Sequence, residues 1–107
     1  MFARNVSLRL KVNSSVQFVH LFEGEVVPVL RQQAGFRDAL TLGYAEETQV
    51  TVVSVWDTKA QADAYNASFY PSVLKILEPV LDGAPKVLIA NVITSTFAVH
   101  KPIAVSA

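Results

Sequence analysis

With 107 residues the chain has room for one hydrophobic core and too little for two comfortable domains. Hydrophobic residues make up 51% and charged residues 17%, an apolar excess that must be buried somewhere, while nine basic and nine acidic side chains cancel and leave no electrostatic footprint for nucleic acid or an anionic membrane. Cysteine is absent, which excludes disulfides, thiolate nucleophiles and thiolate metal sites. The first ten residues lack the continuous apolar core of a secretory signal, and no apolar run approaches the roughly 20 residues that span a bilayer. The expectation is a cytoplasmic protein with neither a nucleic-acid nor a membrane partner.

From Asn5 to Val12 the chain alternates, with Val6, Leu8, Leu10 and Val12 on one side and Asn5, Ser7, Arg9 and Lys11 on the other, the pattern of a strand. Asn13, Ser14 and Ser15 supply side chains that can cap a helix, and Phe18, Val19, Phe22, Val26, Val29 and Leu30 then follow at helical spacing to about Gln33. Pro28 lacks an amide hydrogen and crowds the carbonyl of Gly24, so a kink is expected there, and Gly35 can close the helix in the left-handed conformation. Phe36 to Tyr44 and Thr48 to Trp56 read as a hairpin through Ala45, Glu46 and Glu47. In its second strand Val50, Val52, Ser54 and Trp56 oppose Thr51, Val53 and Val55, so both faces are expected to be buried. Asp57 and Thr58 can cap a helix from Lys59 to about Ala67, which Tyr70-Pro71 interrupts. A further helical segment starts at Pro71 and ends at Asp82-Gly83, and Lys86 to Phe97 is a last strand, apolar on both sides.

The order is βαββαβ, an α+β chain of the ferredoxin-like type. Right-handed crossovers place both helices on one face of a four-stranded antiparallel sheet and leave the other face bare. That bare face is apolar here, and two copies packed sheet to sheet about a two-fold axis would bury it, so a homodimer is expected. Residues 1–99 make the domain. Residues 100–107, with Pro102 and small side chains, are either an arm lying across a partner or a frayed end.

Gln33-Ala34-Gly35-Phe36-Arg37-Asp38, Val53-Ser54-Val55-Trp56-Asp57 and Ala64-Tyr65-Asn66-Ala67-Ser68 resemble the dimeric α+β barrel superfamily, and within it the antibiotic-biosynthesis-monooxygenase-like domains. The resemblance spans about residues 5 to 97. It implies a dimeric α+β barrel and a pocket between sheet and helices, but no single reaction, because relatives include cofactor-free oxygenases, haem-degrading enzymes, isomerases and proteins without an assigned activity.

The resemblance also directs attention to particular side chains. Trp56 ends the third strand, where such domains often keep a tryptophan beside the cavity, although an indole equally serves as core. Asn5 stands on the first strand, where members acting on aromatic or haem substrates carry an asparagine. Tyr65 and Tyr70 flank the break in the second helix, and their hydroxyls can orient a polar substrate or simply pack. Arg9 points either toward a cavity or toward a dimer interface. The haem-degrading relatives place an iron-ligating histidine on the second helix, but Thr58 to Leu81 contains none, with Tyr65 or Asn66 in its place. His20 falls off the apolar stripe and His100 lies near the end, so no metal site and no cofactor are expected.

Glu46 and Glu47 are solvated turn charges, the glycines do not cluster into a phosphate loop, and no serine sits in a nucleophile elbow. The reading is a small-molecule-binding homodimer, resembling cofactor-independent monooxygenases, with Asn5, Trp56, Tyr65 and Tyr70 holding a small hydrophobic or aromatic ligand. The alternatives are a non-catalytic dimeric module and a small-molecule isomerase on the same fold. No general base is evident in any of them.

Overall fold

The computed structural model describes residues 1–43 and 48–96. Its strands are β1 (Phe2–Arg9), β2 (Phe36–Gly43), β3 (Gln49–Trp56) and β4 (Lys86–Asn91), which form one antiparallel sheet in the order β2-β3-β1-β4. The helices are α1 (Ser15–Leu21), α2 (Val27–Arg31), α3 (Lys59–Ser68) and α4 (Tyr70–Leu77). This is the ferredoxin-like βαββαβ arrangement, with the first predicted helix divided into α1 and α2 and the second helical layer broken before Pro71 as expected. The arm expected at 100–107 lies outside the described residues, as do residues 97–99 and 44–47, where the hairpin turn is expected.

Period-two alternation decides which side chains meet the helices. Val6, Leu8, Val50, Val52 and Trp56 point from β1 and β3 to the buried side, where they join Phe18, Phe22, Val26 and Leu30 from the first helical layer and Ala62, Tyr65, Val73 and Leu77 from the second. Trp56 is 0% exposed. It stacks on Tyr65 at 5.0 Å between ring centroids and meets Phe36 edge-on at 5.5 Å, so three elements share one aromatic cluster.

The break in the first helix takes a different form from a proline kink. Phe22–Val26 is a π-helical turn, in which the amide of Val27 donates to the carbonyl of Phe22 five residues back, and Pro28 then occupies the first turn of α2, where its missing amide costs nothing. The capping expectation at Asn13–Ser15 also needs correction. Ser14 is the N-cap but its side chain makes no capping bond, while Asn13 takes a left-handed φ of 61° in the turn before it. Thr58 does cap α3, its hydroxyl accepting from the Gln61 amide at 3.2 Å.

The strands differ at their ends too. β1 begins earlier than expected, at Phe2, and β4 stops at Asn91. More consequential is the second face of the sheet. Thr51, Val53 and Val55 are only half-buried within one chain, and every residue of β4 is exposed, because β4 is an edge strand. Leu88 is 72% exposed and Leu40 is 60% exposed, and the register puts both on the bare face with Ala3, Asn5 and Val53.

Gly35 closes α2 at φ 82° and approaches α3 so closely that a Cβ there would lie 2.8 Å from Cβ of Gln61. Its carbonyl accepts from the Asp57 amide at 2.8 Å, which ties the start of β2 to the end of β3. Gly35→Ala is therefore expected to destabilise the protein by about 1–2 kcal/mol or more from the left-handed backbone alone. Gly24→Ala, which meets nothing within 4 Å, should instead stabilise by roughly 0.4–1 kcal/mol. Urea titration of both variants checks the contrast.

Candidate functional site

β1 carries Arg4 in phase with Val6 and Leu8, so the pleat drives a guanidinium into the layer between sheet and helices. Arg4 is 2% exposed. Directly across the ladder stands Ser54 of β3, also buried, whose hydroxyl oxygen accepts from Trp56 Nε1 at 2.9 Å. That bond satisfies the only polar atom of the indole and fixes its ring against Tyr65.

The end of the helical layer closes over the guanidinium. Tyr70 places its ring 4.1 Å from the Arg4 carbon Cζ and Tyr65 places its ring 5.3 Å away, two cation–π contacts of about 0.5–2 kcal/mol each. Arg4 Nη2 donates to Asn66 Oδ1 at 2.6 Å. These partners are brought together by the break at Phe69, which lets α3 present Tyr65 and Asn66 while α4 begins with Tyr70. Arg4 Nε has no partner among the described residues, and no carboxylate there pairs with Arg4.

Burial raises the Tyr65 hydroxyl to about 12, because the phenolate would be stripped of water, and the nearby Arg4 charge offsets only part of this. Tyr70 is raised for the same reason. Both phenols are neutral at physiological pH and neither cancels the guanidinium charge.

A cavity lies beside this group. Arg4, Ser54 and Tyr65 form its polar part, and apolar side chains including Val6, Phe22, Val26, Val52 and Leu77 form the remainder. It offers ≈ 30 Å³ to the centres of water-sized molecules, enough for about two waters at roughly 10–15 Å³ each.

Of the four residues singled out from sequence, Trp56, Tyr65 and Tyr70 converge at this end of the fold. Trp56 does not itself line the cavity but backs Tyr65, which does. The expectation that Asn5 shares the pocket is corrected by the same alternation that buries Arg4. Asn5 faces the bare side of the sheet between Val53 and Leu88. Arg9 is exposed at the end of β1, near Ser7, Gln49 and Lys86, and His20 is exposed on α1. Arg4 was missed, although its phase with Val6, Leu8 and Leu10 marked a charge on the apolar side. Among the described residues no group of histidines and carboxylates could hold a metal, and no helix is long and apolar enough to cross a membrane.

The sequence matches no family model and no curated protein. Its fold, however, is that of antibiotic-biosynthesis-monooxygenase-like structures. A putative antibiotic biosynthesis monooxygenase from Nitrosomonas europaea superposes with a TM-score of 0.72 at 16% identity, over 88% of this chain and 100% of that one. The ActVA-Orf6 monooxygenase of Streptomyces coelicolor, solved with nanaomycin D, gives 0.67 at 20% identity over 90% of each chain. SnoaB, a cofactor-independent oxygenase from Streptomyces nogalater, gives 0.73 at 10% identity over 90% of this chain and 96% of that one. Structures described as being of unknown function superpose equally well.

Two outcomes follow from the buried phenols. In an alkaline titration followed by tyrosinate absorbance, Tyr65 should ionise near pH 12, after an ordinary phenol. Since its folded pKa lies above the unfolded value near 10, its contribution to stability is complete below pH 10 and is lost as pH rises toward 12. Tyr65→Phe should remove that part of the alkaline destabilisation, and denaturant unfolding at about pH 9 and about pH 11.5 measures it.

Proposed function

We propose that the protein is a homodimer that takes a small organic molecule between the helical layer and the sheet of each protomer, and that it acts as a cofactor-independent monooxygenase on an aromatic or enolic substrate. The observation that carries this reading is the cavity, apolar on most of its wall and polar only where Arg4, Ser54 and Tyr65 meet. The shared fold with a cofactor-independent oxygenase and with a monooxygenase solved with nanaomycin D supports it at the level of architecture. In such a reaction an electron-rich phenol or enol loses a proton and its anion reacts with oxygen directly. The protein's part is to hold the substrate, exclude water and stabilise the anion.

The dimer follows from the bare face. Leu40, Leu42, Val53, Val55 and Leu88 form an apolar surface that one chain leaves open, and a second copy placed by a two-fold axis covers it with a self-complementary contact. Asn5 then lies inside that contact and not in the pocket.

A non-catalytic dimeric module is the second reading, favoured by one feature. Trp56 is wholly enclosed and its N–H is satisfied by Ser54, as a core indole would be.

Native mass spectrometry of the purified protein tests both parts of the proposal. A dimer mass with a retained organic molecule is expected, and oxygen uptake on adding a naphthol would then mark the oxygenase. A dimer that retains nothing and consumes no oxygen with the naphthol would favour the module. Leu88→Lys should give a folded monomer, because one charge per copy is placed in the apolar contact. A Leu88→Lys protein that stays dimeric would place the interface elsewhere.

A further inference from the structure

We infer that the cavity is an anion site, in which Arg4 receives a carboxylate-sized oxyanion carried by the ligand. The inference rests on the small-molecule reading above and specifies the charge of the molecule bound.

Arg4 is almost wholly enclosed, permanently protonated, and faces only neutral groups among the described residues. Asn66 takes one N–H, and the rings of Tyr65 and Tyr70 cover the guanidinium, yet Nε–H is left over. A buried donor of a charged group without an acceptor is rare in folded proteins and calls for an occupant. Arg4 lines the adjoining cavity, so although Nε itself is closed off in this structure, the guanidinium borders space for an occupant.

The size and chemistry of that room define the occupant. About two waters' worth of space fits a group of two or three heavy atoms. Ser54 is a second donor, because its oxygen already accepts from Trp56 and its own hydrogen is not used in that bond. Two donors on one wall and hydrocarbon elsewhere suit a planar oxyanion with two acceptor oxygens. A carboxylate on a small organic acid has this form. A neutral amide of the same shape would offer one acceptor and would leave the guanidinium charge uncompensated.

Formate and formamide have the same number of heavy atoms and differ chiefly in charge. Trp56 is the single tryptophan and stacks on Tyr65, which lines the cavity, so its fluorescence reports on occupancy. At constant ionic strength formate should produce a saturable change with a dissociation constant in the millimolar range, about what three heavy atoms can supply. Formamide should bind at least tenfold more weakly. Arg4→Gln should abolish the preference for formate, and Arg4→Lys, which keeps the charge without the fork, should retain part of it.

Equal responses to formate and formamide, or no saturable response to formate in the wild-type protein, would overturn the inference, and neither depends on a variant that folds. Failure of the underlying reading has a separate signature. It is a wild-type protein that retains no molecule and takes up no oxygen, whereas a neutral molecule that co-purifies would leave the pocket in place and remove only the anion. Arg4→Gln binding formate as the wild type does would also overturn it.

Discussion

A single guanidinium inside the sheet–helix interface sets the arrangement of one end of this molecule. Removing an ion from water costs several kcal/mol even after the protein relaxes. Against that cost Arg4 has two cation–π contacts of about 0.5–2 kcal/mol each and a charged hydrogen bond of roughly 1.5–3 kcal/mol to Asn66. The terms are of similar size, and the unpartnered Nε adds the cost of a buried donor without an acceptor. Tyr65, Asn66 and Tyr70 are placed as they are because the helix breaks at Phe69, and Ser54 and Trp56 stand opposite because the pleat of β3 matches that of β1.

The same pleat creates the molecule's second demand. Every inward residue of β1 and β3 has an outward neighbour, and on this sheet many of those neighbours are also apolar. One layer of helices can cover only one face. Leu40, Leu42 and Leu88 are therefore left in water by a single chain, whereas Asn5 sits in the middle of that face with no polar neighbour across the ladder, between Val53 and Leu88. The polar centre of the buried face and the asparagine of the bare face occupy adjacent positions in sequence but serve opposite sides of the sheet.

Most of the fold was legible in the sequence because alternation and helical spacing act locally. The pairing of β2 with β3, the stop at Gly35 and the break before Pro71 all appear where the residue pattern places them. The π turn at Phe22–Val26 was not legible, since the helical stripe continues through it and only the backbone register changes. The cap at Ser14 failed for a related reason, because Asn13 adopts a left-handed conformation and turns the chain before the helix begins. At the site, Trp56, Tyr65 and Tyr70 could be found as aromatic residues near predicted element ends. Asn5 was drawn in by resemblance against its own phase, and Arg4 was overlooked because the expected strand began at Asn5, three residues after its start at Phe2.

The central claim is that the buried charge of Arg4 is completed from outside the chain. A crystal structure of the protein as purified addresses it most directly. The account predicts an oxyanion in the cavity with an oxygen about 2.7–2.9 Å from Arg4 Nε, and no carboxylate of the protein against that atom. An Asp or Glu side chain of either copy paired with Nε, or a cavity holding water alone, would contradict it.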